Sequence, residues 1–297
     1  MSRVRGERMK VKGLCVLLGW ALLLLSPAPA KAQAPYQGPL IDAHSHLPNL
    51  QVLDAYVAAM KRHNVAKVVL LGVGGMQKQD AEWIAAAATR YPDRIIQGAP
   101  IPDPLGQGQS AKLETLLASG QYRAAGEVHI RQESRKIDRK ADDPAFGRLL
   151  EVAARRGVPV VIHCELTVEA AAGLEGALQK HPKAAIILAH GGSAEPAMLE
   201  GLLTRNSNLL VDLSGMHYQR TPRLASETGS LNPAWKALIE KHPDRFLMGI
   251  DVWAPRLFEP ATLDRLMGWT RRILGELAPD VAQKVAYRNA ARVFKVE

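Results

Sequence analysis

Lys180-His181-Pro182-Lys183-Ala184-Ala185-Ile186-Ile187-Leu188-Ala189-His190-Gly191-Gly192 is the stretch from which the fold can be read. It opens on a basic-aromatic-proline turn. Cations favour a helix C-terminus, and proline then stops the helix. A continuous apolar run follows at 185–188, of the kind buried on both faces of a parallel sheet. The run ends on a histidine and two glycines, which permit close approach.

The same unit recurs on both sides. Apolar runs fall at 40–41, 67–71, 94–96, 123–128, 158–162, 185–188, 209–213 and 246–250. Helical patterns separate them, among others at 52–62, 80–90, 144–156 and 196–204. Strands alternating with helices imply a parallel sheet. Eight such units with no long polar linker predict an α/β fold, a single-domain (β/α)8 TIM barrel over residues 33–297. An open, doubly wound sheet is the alternative. Arg90-Tyr91-Pro92 and Lys241-His242-Pro243 repeat the turn of Lys180-His181-Pro182, and Arg62-His63-Asn64 is a looser version. All four precede strands, so they belong to the stability end of a barrel.

The N-terminus reads differently. Arg3, Arg5, Arg8, Lys10 and Lys12 precede an apolar run at 14–25 and then Ser26-Pro27-Ala28-Pro29-Ala30-Lys31-Ala32. This order predicts a secretory signal peptide over residues 1–32, cleaved after Ala32. The run falls short of the roughly 20 residues that span a bilayer. No membrane anchor is therefore expected after cleavage, and the product is expected outside the cytoplasm, periplasmic or secreted. The formal charge of the chain is +9. Six Lys/Arg and one Glu among residues 1–32 account for five of it, leaving about +4 spread along the rest. So diffuse a charge does not point to nucleic acid. Beyond the leader Cys164 is the single cysteine, so no intramolecular disulfide can form.

Position sorts the nine histidines. His63, His181 and His242 lie in the joints and read as solvated structural residues. His44, His46, His163 and His190 end strands, and His129 and His217 lie just past strands four and seven. Barrel enzymes place their chemistry at these C-terminal ends. In Asp42-Ala43-His44-Ser45-His46, residues two apart in a strand share a side, so His44 and His46 can face one ion. Imidazole suits Zn2+ and other borderline metals. Gly126-Glu127 and Gly249-Ile250-Asp251 end two further strands in carboxylates. A buried, unpaired carboxylate is costly, and a metal or a proton removes the difficulty.

These residues, in this order, resemble the amidohydrolase superfamily. The closing stretch Tyr287-Arg288-Asn289-Ala290-Ala291-Arg292-Val293-Phe294 resembles the end of its amidohydrolase-2 branch, with Tyr287 where glycine is usual. That branch includes the aminocarboxymuconate-semialdehyde decarboxylase group. The resemblance implies His44, His46, His163 and Asp251 as ligands of a catalytic divalent metal. His190 would be a second-metal ligand in a binuclear site or a catalytic residue in a mononuclear one. Glu127 matches a position that bridges two metals in TatD-like members. No lysine stands there, so a carbamate bridge is not expected.

The expected reaction is hydrolysis of an ester, lactone, amide or related bond in a small organic molecule. A metal-activated water would attack, with Asp251 taking its proton. Non-oxidative decarboxylation by the same site is the alternative, and a non-catalytic metal- or ligand-binding protein is a third reading. The expected cofactor is Zn2+, as one or two ions. Substrate contacts are expected from His129, Arg131, His217 and Trp253, with Tyr218, Arg220 and Arg256 nearby. Cys164 reads as packing. The oligomeric state, a homo-oligomer included, stays open.

Overall fold

In the computed structural model, residues 1–2, 34–221 and 223–296 are described. The expected leader thus lies, from residue 3 on, outside the described residues. Among the described residues no helix is long and apolar enough to cross a membrane.

The first half of the barrel runs β1 (Leu40–Ser45), α1 (Leu53–Arg62), β2 (Val65–Leu70), α2 (Asp80–Arg90), β3 (Ile95–Ala99), α3 (Gln109–Ala118), β4 (Tyr122–Gln132) and α4 (Pro144–Arg156). The second half runs β5 (Val160–Cys164), α5 (Val168–Lys180), β6 (Ile186–Leu188), α6 (Pro196–Arg205), β7 (Leu209–Asp212), α7 (Pro233–Lys241), β8 (Phe246–Leu247) and α8 (Pro260–Gly275). Two short helices, α9 (Pro279–Gln283) and α10 (Asn289–Phe294), end the chain. Local chemistry fixes several boundaries. The Asp143, Thr167 and Asn232 side chains cap α4, α5 and α7, and Gly157 ends α4 in the left-handed conformation.

The strands pair in sequence order, β1 to β8, and every neighbouring pair is parallel. Ala43 N donates to Met248 O at 3.0 Å and His46 N to Val252 O at 2.8 Å, bridging the seam between the last strand and the first. The result is a nearly closed parallel barrel with helices outside, consistent with a TIM barrel. An open, doubly wound sheet would reverse its strand order, and this one does not. Beyond the barrel, the end of β4 forms an antiparallel hairpin with Ile137–Asp138.

Apolar residues fill both sides of the strands. Ile41, Ala43, Val69, Val161, Ile187 and Leu247 form an inner core, closed at the foot by Ala290 and Phe294 of α10. A larger outer core joins strands to helices. The joint histidines lie at the foot, as expected. They are half-buried, however, not solvated, and His242 Nε2 is buried with no hydrogen-bond partner among the described residues. His63 Nε2 is 2.8 Å from Asp264 Oδ1, and burial lowers the His242 pKa.

Two irregularities aim the rim. Ile41 and Ala43 face the barrel axis, so a regular strand would turn His44 outward. The register instead slips between Asp42 and Ser45, where three steps of β1 face two of β2. Asp42 and Ser45 then both reach Tyr56 of α1, while His44 and His46 converge on the axis. Strand β4 slips likewise between Ala125 and Val128. Gly126 sits there with φ 130°, and a Cβ on it would collide with the Val161 carbonyl oxygen.

Candidate metal centre

Five histidines and two carboxylates converge above the inner core, all buried: His44, His46, His129, His163, His190, Glu127 and Asp251. Three overlapping groups have ligand atoms within 4.8 Å of one another: His44, His190 and Asp251; His44, His46 and Glu127; Glu127, His129 and His163.

The outer nitrogen of each ring reports its tautomer. His44 Nδ1 is 2.9 Å from Asp212 Oδ2, and His46 Nδ1 is 2.9 Å from the Leu71 carbonyl. His190 Nδ1 is 2.9 Å from the Ser214 carbonyl. A carbonyl or carboxylate only accepts, so all three Nδ1 atoms carry hydrogen. Their Nε2 atoms are left to face inward, the arrangement of metal-binding imidazoles.

Those inward atoms do not satisfy one another. His44 Nε2 and His46 Nε2 stand 3.1 Å apart, and His190 Nε2 is 3.3 Å from Glu127 Oε1. Only a cation, a proton or a metal ion, relieves such contacts. Two nitrogens bound to one tetrahedral Zn2+ at about 2.0–2.1 Å would lie about 3.3 Å apart. The donor set therefore fits a divalent metal.

Electrostatics point the same way. Burial would lower the His44 pKa, but the charges of Asp212 and Glu127 outweigh it and hold it well above its usual value. His46 is pushed down to about 4 by burial and by the charge on His44. Burial would raise Glu127, but the His44 charge and hydrogen bonds from His129, His163 and His190 keep it well below the usual range. Burial likewise opposes ionisation of Asp251, yet His190, Arg220 and both histidines of β1 lower its pKa. Both acids are thus anions available to a cation.

Glu127 is the hub. Its Oε1 lies 3.0 Å from His163 Nδ1, and its Oε2 lies 3.1 Å from His129 Nε2. Asp251 Oδ1 is 3.6 Å from His46 Nε2, and its Oδ2 pairs with Arg220. The turn His190-Gly191-Gly192 is left-handed throughout. A Cβ at Gly192 would lie 2.8 Å from Leu166 Cγ, which explains the second glycine.

The cluster opens into a cavity of about 230 Å³ lined by His46, Glu127, His129, His163, His190, Asp251, Trp253, Gln132, Arg135 and Arg220, among others. Of the expected substrate contacts, His129 and Trp253 line it. His217 is buried beside Arg220 and pushed down to about 4 by burial and that charge. Arg131 turns away: its Nη1 donates to the Glu165 carbonyl, and its Nε is 3.8 Å from Asp138. The slip between His129 and Arg131 puts the two on different sides of β4. Cys164 sits on that outer side, its thiol pushed up to about 12 by burial, which suits packing.

Sequence reasoning passed over Asp212 and Arg135. Asp212 receives the amides of His190 and Ser214 as well as His44 Nδ1. A carboxylate inside the apolar run at 209–213 was its signal, and Leu213 after it hid the likeness to Asp251, which follows its run.

The profile of the amidohydrolase family matches residues 26–296. The chain belongs to that family, in its amidohydrolase-2 branch. This amidohydrolase resembles solved structures at low identity. 2,6-Dihydroxybenzoate decarboxylase in complex with 2,6-dihydroxybenzoate superposes with TM-score 0.63 at 18% identity, covering 88% of this chain and 99% of that one. Dihydroxybenzoic acid decarboxylase from Polaromonas sp. JS666, with bound manganese and 2-nitroresorcinol, gives 0.62 at 17%, covering 87% and 97%. 5-Carboxyvanillate decarboxylase from Sphingomonas paucimobilis gives 0.59 at 16%, covering 87% and 99%. These likenesses concern the fold. None of the curated proteins compared matches the amidohydrolase.

Proposed function

We propose that this amidohydrolase is a metal-dependent, non-oxidative decarboxylase of a small aromatic or unsaturated acid. The observation that carries the reading is the pairing of a His/Glu/Asp cluster with two arginines, Arg135 and Arg220, in one small cavity. The three structural relatives, decarboxylases of hydroxylated or methoxylated benzoates by their names, support it over the hydrolysis expected from sequence.

His44, His46, His163 and Asp251 would hold the ion, with Glu127 and His190 completing its surroundings. A bound divalent ion would supply positive charge against the electron density that builds up as CO2 leaves. Loss of CO2 leaves an electron pair on carbon, which must take a proton. Asp251, beside His46 and His190, is placed to relay it. The imidazole-rich set suits Zn2+, and manganese in the Polaromonas relative makes Mn2+ the competing choice.

One observation favours hydrolysis as a second reading. Glu127 touches His163, His129 and His190 at 3.0–3.3 Å and could bridge two ions. We further propose that the leader directs export to the periplasm or medium, which the N-terminal mass of the mature protein would check.

The deciding experiment incubates metal-analysed protein with hydroxybenzoates and, separately, with aryl esters, lactones and amides. Release of CO2 from an acid is the expected result. Cleavage confined to the esters, lactones or amides would replace it with the second reading. Bound metal with no turnover would favour a binding protein.

A further inference from the structure

Four arginines surround the β4 hairpin and the rim, and three have carboxylates. Arg220 pairs with Asp251. Arg131 lies within 4 Å of Asp138 and Glu165, and Arg139 Nη2 is 3.5 Å from Asp103 Oδ1. Arg135, in the turn Glu133–Arg135 at the hairpin tip, makes no ion pair among the described residues. Its hydrogen bond runs from Nη1 to His129 Nδ1, at 3.1 Å.

A guanidinium only donates, so His129 Nδ1 accepts and its Nε2 carries the hydrogen given to Glu127. His129 is thereby held in the tautomer opposite to that of His44, His46 and His190. The contact occupies one of the guanidinium's five N–H groups, and the half-buried Arg135 also lines the cavity. Glu127 and Asp251 act on its charge from across the cavity without pairing with it, and a cation fixed at a cavity wall with donors to spare and no carboxylate in ion-pair contact is an anion site.

Which anion follows from the direction of charge flow. In decarboxylation, negative charge leaves the departing carboxylate. An arginine clamped on that group would stabilise the ground state more than the transition state. We propose that Arg135 binds a second acidic group of the substrate, one retained in the product, so that the substrate is a diacid or an equivalent dianion. The inference rests on the decarboxylase reading proposed above and on this cavity being the substrate site.

The test is equilibrium binding, which needs no turnover. Benzoate, phthalate, isophthalate and terephthalate are titrated into metal-loaded protein and into Arg135→Met, with melting temperature and metal content as controls. Wild type should bind at least one diacid on the order of tenfold more tightly than benzoate, the scale of a charge-assisted contact. Arg135→Met should lose that margin while keeping its benzoate affinity, and Arg135→Lys should recover part of it. Absence of any diacid preference in the wild type overturns the proposal, whatever the variants do. So does a preference that survives in Arg135→Met. Diacid preference without CO2 release from any acid would instead remove decarboxylation and leave the anion site standing.

Discussion

The foot and the rim of the barrel both bury charge, and they treat it in opposite ways. At the foot, Arg271 is 7% exposed. Its Nε donates to the His63 carbonyl, its Nη1 to Tyr36 and Gly38, and its Nη2 to Asn64, at 2.7–3.0 Å. Asn289 likewise donates to Pro243 and Phe246, tying α10 beneath the strands. The donors of Arg271 and Asn289 there meet carbonyl acceptors, and the one buried ring nitrogen without a partner among the described residues, His242 Nε2, stands alone, not in a cluster. At the rim, ring nitrogens with lone pairs face each other and a carboxylate. Buried polar groups are normally matched, so a mismatch on this scale marks the place where a cation belongs. The foot reads as stability and the rim as chemistry.

Substitutions should separate the two ends. The largest effect is expected from Asp251→Asn, which keeps the shape and removes the proton carrier proposed above. Turnover should fall about 10²–10⁴-fold while metal analysis shows the ion retained; full activity would break the role given to this residue. Next comes the foot. Phe294→Ala should cost about 3–5 kcal/mol of stability by denaturant titration, with metal affinity unchanged in the folded fraction. Loss of metal affinity there would mean the two ends are coupled. The smallest of the three is Asp212→Asn, a rim residue that would support the ion through His44 and the backbone of His190. Chelator competition should show metal affinity about 10–100-fold lower. An unchanged affinity would remove Asp212 from the support of the site.

Much of this was legible in the chain. Eight apolar runs lie where the strands are, because a strand covered on both faces must be apolar along its length. The first and fourth runs understated β1 and β4, since both strands continue into polar residues that face the rim. The last run overstated β8, whose ladder stops at Leu247. His44, His46, Glu127, His163, His190 and Asp251 were readable because each closes a run, and a barrel gathers strand ends. Arg131 misled because a simple alternation from His129 ignores the slip between them.

The sequence by itself determined the alternation of elements, the end of the barrel that carries chemistry, and the residue types offered to a metal. Tertiary structure decided which way they point. The slips in β1 and β4 turn His44, His46 and Glu127 inward, and no local pattern announces a slip that depends on the neighbouring strand. The partners that set each tautomer are distant in sequence. Asp212 is 168 residues from His44, Leu71 is 25 from His46, and Ser214 is 24 from His190. A ring's free nitrogen is fixed by whatever its other nitrogen touches, so the metal-binding character of these histidines came into being only when the barrel closed.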